Sequence, residues 1–132
     1  MPETTESRKI KVILVEDHPL FRDQLKQLIS KDLEMIVCGE ADNIQQALTA
    51  IQELRPDIAI VDITLKGSSG LELIKNLKLQ ELNIPVLVLS MHDELIYGER
   101  ALRAGAKGYI TKYAASSQVK QAIRKVLDGE IY

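Results

Sequence analysis

The sequence predicts an α/β fold in which a parallel sheet of five strands is open, doubly wound and covered by helices on both faces. Two observations lead to this prediction. Short apolar runs of strand length alternate with longer stretches whose apolar residues recur every three or four positions, the spacing of an amphipathic helix. This alternation occurs five times, which is the pattern of βαβ units joined by right-handed crossovers.

The predicted strands are short, mostly apolar segments without a polar face, which is typical of parallel strands buried on both sides. They comprise residues 10–15, 35–38, 58–61, 85–89 and 109–110. An open parallel sheet built from these segments has all its carboxyl ends at one edge.

Five helices are predicted between and after the strands. Their apolar faces fall within residues 20–29, 44–54, 71–77, 95–104 and 119–127, with the weakest pattern in the fourth. Ser116 or Ser117 is the predicted N-cap of the last helix, and Gly129 lies just past its end.

Length and composition indicate one ordinary globular domain. The chain has 132 residues, 45% of them hydrophobic and 27% charged, and its formal net charge of −2 gives no basic surface for nucleic acid. The single cysteine, Cys38, excludes an internal disulfide framework and is interpreted as a buried structural thiol. No segment has the length of a membrane span or the core of a signal peptide, so we expect a cytoplasmic protein without a membrane partner.

Chemically matched side chains follow four of the predicted strands. Glu16 and Asp17 follow the first strand, Asp62 the third, Ser90 the fourth and Lys112 the fifth. Each alone is compatible with an ordinary loop residue. Because ligands bind at the carboxyl ends of the strands in open α/β sheets, five such groups at one edge predict a site.

The three acids in this set indicate a metal ion. Carboxylates packed together repel one another unless a cation neutralises them, and Mg²⁺ prefers hard oxygen ligands together with a phosphate. One acid can then serve as the nucleophile that forms an aspartyl phosphate. A lysine and a hydroxyl beside the metal supply the positioning and charge stabilisation that phosphoryl transfer needs.

Five ordered motifs give the sequence a family resemblance over more than nine-tenths of its length. They lie at residues 15–18 (Val-Glu-Asp-His), 56–62 (Pro-Asp-Ile-Ala-Ile-Val-Asp), 70–73 (Gly-Leu-Glu-Leu), 88–90 (Val-Leu-Ser) and 104–112 (Ala-Gly-Ala-Lys-Gly-Tyr-Ile-Thr-Lys). With these motifs the chain resembles the receiver domain of bacterial two-component response regulators. The resemblance implies a flavodoxin-like strand order 2-1-3-4-5, with two helices on one face and three on the other. It assigns residues 10–128 to the receiver and residues 1–9 to a flexible leader.

The resemblance also implies roles for single residues. Asp62 is the expected phosphoacceptor and a metal ligand, and Glu16 and Asp17 are the acidic pair that holds the metal. The backbone carbonyl of Thr64 is a further expected ligand. The implied ion is Mg²⁺, with Mn²⁺ as an alternative.

Three further residues are expected to carry the switch. Lys112 pairs with the phosphoryl group, Ser90 is the switch hydroxyl and Tyr109 is the aromatic side chain that rotates. A sensor histidine kinase is the implied phosphodonor, and the face formed by the fourth helix, the fifth strand and the fifth helix is the implied readout surface. Such a domain is not an enzyme beyond catalysing its own phosphorylation and dephosphorylation.

Residues 121–132 resemble the end of receivers of the NarL/FixJ subfamily, which have LuxR-type outputs. There a linker, here beginning at residues 129–132, leads to a helix-turn-helix domain, so DNA binding belongs to a part absent from this chain. A stand-alone receiver is the alternative. Homodimer formation on phosphorylation is expected, through helices one and five or through the readout face, and the sequence does not decide between them.

Other interpretations are weaker. A haloacid-dehalogenase-type phosphohydrolase needs a second acid two residues after its nucleophile, where this chain has Thr64. A receiver that binds partners without phosphorylation usually lacks one of the key groups, and all are present. His18 and His92 are interpreted as ordinary loop residues, since two histidines without cysteines match no zinc spacing. Lys66 replaces a frequent proline of the family, and Tyr113 replaces another, which leaves the isomer of the Lys112–Tyr113 bond open.

Overall fold

A computed structural model describes residues 9–65, 68–91 and 95–132, with the backbone alone for residues 68 and 95–98. The expectations for residues 1–8, Lys66 and His92 therefore lie outside the described residues. Within the described part, no helix is both long enough and apolar enough to cross a membrane.

Five helices and seven strands make up the described chain. In chain order they are β1 (Ile10–Val15), α1 (Pro19–Ser30), β2 (Met35–Ala41), α2 (Ile44–Leu54), β3 (Ile58–Asp62), β4 (Thr64–Leu65), β5 (Ser68–Ser69), α3 (Gly70–Leu79), β6 (Val86–Ser90), α4 (Leu95–Ala104), β7 (Gly108–Thr111) and α5 (Ala115–Leu127). The main sheet has the order β2-β1-β3-β6-β7, and all its pairs are parallel. Counted within this sheet alone, the order is 2-1-3-4-5, so the expected topology is confirmed.

The sheet separates two hydrophobic clusters. Helices α1 and α5 cover one face, where Leu14, Ile60 and Leu89 of the central strands meet Ile29 and Ile123 of the helices. Helices α2, α3 and α4 contribute to the cluster on the other face. Burial on both faces explains why these strands are nearly continuous apolar runs, and the two-plus-three arrangement of helices is confirmed.

The register of the parallel strands places the carboxyl ends of β1, β3, β6 and β7 side by side. Val15 of β1 lies beside Val61 of β3, and the next residue, Asp62, pairs with Leu89 of β6. Ser90 in turn lies beside Thr111 of β7. The residues that end or follow these four strands consequently meet at one edge of the sheet, as the sequence predicts.

The described part of the connection between β3 and α3 contains a short antiparallel ribbon that the sequence did not predict. Residues 67–70 are interpreted from sequence as a loop and a helix N-cap; Gly67 lies outside the described residues, and β5 (Ser68–Ser69) pairs with β4 (Thr64–Leu65). Leu65 is buried and anchors this ribbon to the core. The N-cap itself is confirmed, because Ser69 Oγ accepts the N–H of Leu71 at 3.1 Å.

The predicted N-cap of α5 is wrong. Instead of starting after Ser116 or Ser117, the helix begins at Ala115. The reason is that Thr111, at the end of β7, folds the following turn, with its Oγ1 accepting the N–H of Ala114 at 3.2 Å. Among the described residues no peptide bond is cis, which answers the open question about the bond before Tyr113.

The segment after α5 folds back onto the sheet. Gly129 has a left-handed φ of +90°, as expected for a glycine just past a helix end. Tyr132 then donates its N–H to the Lys107 carbonyl at 3.0 Å and its hydroxyl to Gln118 at 3.2 Å. Tyr132 thus contacts α5 and the residue that precedes β7.

Two leucines of α3 test the assignment of the core. Leu73 is 0% exposed, and its truncation to alanine removes packing that the surrounding core cannot fully replace, so we expect a loss of about 2–5 kcal/mol in the free energy of unfolding. Leu79, at the end of the same helix, is 81% exposed, and Leu79→Ala is the matched control with little expected effect. Denaturant unfolding measures both, and equal losses would contradict the assigned helix face.

Candidate functional site

The carboxyl edge of the sheet gathers charged and polar side chains that are almost entirely buried. Glu16 is 1% exposed, Asp62 is 2% exposed and Ser90 is 0% exposed. Asp17, next to Glu16, keeps 16% of its side-chain surface exposed, and the Lys112 side chain keeps 6%. Buried charges are costly unless they are paired, so this arrangement has to be compensated locally.

Lys112 provides that compensation. Its Nζ lies 2.6 Å from Glu16 Oε1 and 3.0 Å from Asp62 Oδ2, so one ammonium bridges two carboxylates from different strands. The same Nζ lies 4.8 Å from the centre of the Phe21 ring, within cation–π range. The backbone N–H of Lys112 donates to the Ser90 carbonyl at 2.8 Å, which fixes the start of this side chain beside β6.

His18 also belongs to the site. Its Nδ1 lies 3.3 Å from Glu16 Oε2, 3.3 Å from Asp17 Oδ1 and 3.9 Å from Asp62 Oδ2. The distance from Nδ1 to Lys112 Nζ is 3.4 Å. Its place between β1 and α1 agrees with the predicted loop position, and the structure adds its proximity to the three acids.

The first turn of α1 holds the acidic pair in place. Helix α1 begins with Pro19, which fits the first helical position, and His18 is the extended N-cap residue before it. Arg22 reaches back from the next turn and donates from Nη1 to the Glu16 carbonyl at 2.8 Å. Its Nε also pairs with Glu40 Oε1 at 3.3 Å, which ties the helix to β2.

Two buried carboxylate oxygens make no hydrogen bond within the described residues, namely Glu16 Oε1 and Asp17 Oδ1. Glu16 Oε1 instead forms the 2.6 Å ion pair with Lys112 Nζ, and Asp17 Oδ1 lies 3.3 Å from His18 Nδ1. Ligand atoms of Glu16, Asp17, His18 and Asp62 all lie within 4.8 Å of one another. Clustered oxygens with unused lone pairs fit a hard divalent cation.

The other predicted site residues are close by. Thr64 donates its backbone N–H to Asp62 Oδ1 at 3.1 Å, which orients the carboxylate, while its carbonyl as a metal ligand stays a prediction. Ser90 ends β6. Tyr109 is half-buried in β7 and packs against the cluster on the α2–α4 face. Ser90 thus ends the strand beside that of Asp62, with Tyr109 on the next strand of the sheet.

Gly70 lets α3 approach the backbone of Asp62 closely. A Cβ at this position would clash with the backbone carbonyl of Asp62 and lie 2.9 Å from Val61 Cγ1. The Gly70 N–H donates to the Ile63 carbonyl at 2.8 Å, so the helix start is bonded to the chain just after Asp62. Only glycine fits here without displacing the helix.

The electrostatic environment of Asp62 disfavours its charge. Burial raises the pKa of Asp62, and the neighbouring Glu16 carboxylate raises it further. Lys112 and the Thr64 N–H act in the opposite direction, and the net result is a pKa of about 6, against an ordinary value of 3.8. In the metal-free protein, Asp62 is therefore the carboxyl that loses its proton reluctantly.

Lys112 shows the complementary effect. Burial by itself lowers the pKa of this ammonium, but the contacts with Glu16 and Asp62 outweigh burial and raise the pKa above its ordinary value. Lys112 is thus firmly cationic at neutral pH. A cation held against Asp62 is suited to stabilise negative charge that accumulates on or next to that carboxylate.

Comparison with known proteins identifies the family. The family model described as the response regulator receiver domain matches residues 12–124. The chain belongs to the response regulator receiver family. It is 35% identical over 123 residues to the response regulator GacA of Pseudomonas aeruginosa, covering 93% of this chain and 58% of GacA. It is 38% identical to the transcriptional activator protein ExaE of Pseudomonas putida, covering 92% of this chain and 56% of ExaE.

Solved receiver structures agree with the fold. The signal receiver domain of the response regulator NarL from Mycobacterium tuberculosis superposes with a TM-score of 0.87 at 32% identity, covering 93% of this chain and 99% of that chain. A LuxR-family response regulator from Aurantimonas sp. SI85-9A1 gives a TM-score of 0.88 at 31% identity, covering 93% and 88%. This chain spans a little more than half the length of the curated relatives it matches. It is the receiver domain of a regulator rather than a classical enzyme.

The raised pKa of Asp62 predicts a pH-dependent cost in the metal-free receiver. Between the ordinary value of 3.8 and about 6, the folded protein binds the proton that the unfolded chain releases, so ionised Asp62 increasingly destabilises the fold as the pH rises. Asp62→Asn removes this cost. We expect the variant to be more stable than the wild type by about 1–3 kcal/mol above pH 6, with little difference near pH 4.

Denaturant unfolding of both proteins in a metal chelator, between pH 4 and pH 8, measures this difference. Taking the difference between variant and wild type removes the titration of distant carboxyl groups and leaves that of Asp62 with its contacts Glu16 and Lys112. If the extra stability of Asp62→Asn over the wild type became smaller as the pH rises, the raised pKa of Asp62 would be contradicted.

Proposed function

We propose that this receiver accepts a phosphoryl group on Asp62 from the phosphohistidine of a sensor histidine kinase, in a reaction that depends on a divalent metal ion. The observation that carries this proposal is the placement of the Asp62 carboxylate. It is buried at the carboxyl edge of the sheet, beside the other acids, with Oδ2 3.0 Å from the Lys112 ammonium. This is the arrangement that an aspartyl nucleophile in phosphoryl transfer requires.

Glu16, Asp17 and Asp62, together with the backbone carbonyl of Thr64, would hold Mg²⁺, with Mn²⁺ as an alternative. The two buried carboxylate oxygens without hydrogen bonds support this assignment. When bound, the ion supplies positive charge that neutralises the carboxylates and the transferred phosphoryl oxygens. The acids of β1 and β3 then no longer repel the incoming phosphoryl group.

The covalent step is a displacement at phosphorus. A carboxylate oxygen of Asp62 forms the new O–P bond, and the P–N bond of the donor phosphohistidine breaks. The electron pair of that bond stays on the imidazole nitrogen of the donor, which takes up a proton. Lys112 keeps its charge and moves its hydrogen bond from Asp62 to a phosphoryl oxygen. In the step that ends the signal, a water oxygen would form a bond to phosphorus as the O–P bond to Asp62 breaks, which releases inorganic phosphate and restores the carboxylate. The domain would thus catalyse only its own phosphorylation and dephosphorylation.

The surface next to the site fits a protein donor. A shallow depression of about 430 Å³ opens beside the acids, lined by His18, Leu20, Phe21, Met91, Lys112 and Tyr113. Leu20 is 82% exposed, Met91 53% and Tyr113 77%. An apolar rim around a charged centre supports contact with a protein surface that delivers the phosphohistidine.

The switch would use Ser90 and Tyr109. Phosphoryl oxygens on Asp62 attract the Ser90 hydroxyl, which ends β6 at the same edge, and this movement makes room for Tyr109 to turn inward. The face formed by α4, β7 and α5 responds. Two or three charge-assisted hydrogen bonds, each worth about 1.5–3 kcal/mol, are enough to shift a two-state equilibrium by one to two decades.

The output would be control of transcription. The regulators GacA and ExaE are longer than this chain, which matches a little over half of each. We infer that residues 129–132 begin a linker to a helix-turn-helix domain that binds DNA. Phosphorylation would favour a homodimer, either through α1 and α5 or through the readout face.

Phosphorylation with a small phosphodonor tests the proposed chemistry. Incubation with and without Mg²⁺, followed by intact-mass measurement, is expected to show one added phosphoryl group only when the metal is present. Asp62→Asn removes the nucleophile and is expected to show no addition. Ser90→Ala is the matched control, because it alters the same edge of the sheet but keeps the nucleophile, and it is expected to be labelled yet to switch poorly. Labelling of Asp62→Asn at the wild-type level would overturn the assignment, and a folded wild type that is never labelled would favour a receiver that binds partners without phosphorylation.

A further inference from the structure

One side chain at the acidic cluster has no part in the chemistry proposed so far. His18 Nδ1 lies 3.3 Å from oxygens of both Glu16 and Asp17, and 3.9 Å from Asp62 Oδ2. It therefore faces all three carboxylates that would hold the metal ion. A ring nitrogen in this position is a fourth candidate ligand atom, of a different chemical type.

We propose that His18 binds the divalent ion directly through Nδ1, and that this ligand shifts the metal preference of the receiver from Mg²⁺ towards first-row transition ions such as Mn²⁺, Co²⁺ and Ni²⁺. The proposal rests on the metal site of the proposed function. It adds a fourth side-chain ligand to that site and predicts which divalent ions the site prefers.

The spacing of the ligand atoms fits a common ion. Atoms bound about 2.1 Å from one ion are at most about 4.2 Å apart. The candidate atoms of Glu16, Asp17, His18 and Asp62 all lie within 4.8 Å of one another, so a small contraction places all four around one ion. The His18 ring already lies beside the carboxylates, with Nδ1 3.3 Å from two of their oxygens, so metal binding requires no large movement of the side chain.

The backbone that carries the ring is restrained, and the ring itself is 65% exposed. His18 is the N-cap residue of α1 in an extended conformation, with φ −93° and ψ 106°, and Pro19 follows it. Proline restricts the preceding residue to extended conformations, which limits where the ring can lie. The His18 side chain makes no capping hydrogen bond to the helix, so metal binding would cost α1 no such bond.

The contact with Lys112 shows how Nδ1 can present a lone pair. An ammonium only donates hydrogen bonds, so the 3.4 Å contact between Lys112 Nζ and His18 Nδ1 requires an Nδ1 without a proton. A hydrogen bond to Glu16 Oε2, 3.3 Å away, would instead use a proton on Nδ1, because a carboxylate only accepts. A bound cation would favour Nδ1 without a proton, because the ion binds the Nδ1 lone pair and the carboxylate oxygens at the same time.

The donor set determines the selectivity. Carboxylates and carbonyls alone suit Mg²⁺, which binds oxygen ligands and retains several waters. An imidazole ligand suits transition ions, whose affinity for nitrogen donors rises along the first row towards nickel. Removal of the ring should therefore weaken binding of the transition ions and leave Mg²⁺ nearly unaffected.

Pulsed electron paramagnetic resonance of Mn²⁺ bound to the untagged protein tests the ligand itself. Coupling from a directly bound nitrogen is expected in the wild type and absent in His18→Gln. The chain has two histidines, so His92→Gln is the matched control and should retain the coupling. Coupling that is missing from the wild type, or that disappears in His92→Gln and persists in His18→Gln, would overturn the proposal.

Calorimetric titration with Mg²⁺ and with Ni²⁺ tests the selectivity. The ratio of Ni²⁺ to Mg²⁺ affinity should fall by roughly tenfold or more in His18→Gln, because even the loss of a residue that hydrogen-bonds a metal ligand lowers metal affinity by about that factor. The ratio should be unchanged in His92→Gln. An unchanged ratio in His18→Gln, with Mg²⁺ still bound, would overturn this inference alone. Failure of the wild type to bind any of these ions would overturn both the inference and the metal site of the proposed function.

Discussion

Mutual repulsion among Glu16, Asp17 and Asp62, three acids packed at one edge of a sheet, is the constraint on which the rest of this receiver depends. Burial makes the repulsion stronger because little water screens it. Lys112 opposes it by bridging Glu16 and Asp62 at 2.6 and 3.0 Å. Lys112 does not fully offset the repulsion, because burial and Glu16 still raise the pKa of Asp62 to about 6. A site that holds excess negative charge when empty gains stability from a divalent cation, and this is also what phosphoryl transfer to an aspartate needs.

Much of the fold serves to maintain this edge. Parallel register places the ends of four strands side by side, so residues far apart in sequence meet without long loops. The first turn of α1 is bonded to the Glu16 carbonyl through Arg22, and the missing side chain of Gly70 lets α3 approach Asp62. The strands that lead to the acids, β1 and β3, lie in the buried centre of the sheet, so packed elements support Asp62.

The sequence pattern was sufficient for the five strands of the main sheet and for the residues that follow them, because burial on both faces produces uninterrupted apolar runs. The strand order was predicted from the family resemblance, and the β4–β5 ribbon was not predicted. The sequence pattern was insufficient where a helix start or a side-chain position depends on contacts with another element of the fold. Serines near the start of α5 looked like caps, yet Thr111 of the preceding strand makes the turn. His18 lies in a loop as predicted, but its distance from Asp62 depends on how α1 meets the sheet. The identity of the family was predicted from ordered motifs, and the match over residues 12–124 confirmed it.

The most direct test of the electrostatic account is the stability of Lys112→Met at pH 8, with a chelator and with excess Mg²⁺. Methionine keeps much of the length of the side chain and removes the charge. The account predicts a loss of about 3–5 kcal/mol in the free energy of unfolding in chelator, as expected when a buried charge loses its partner. Excess Mg²⁺ should recover most of that loss, because the ion compensates the same carboxylates. No loss in chelator, or an equal loss with and without Mg²⁺, would contradict the claim that the acidic cluster requires a cation.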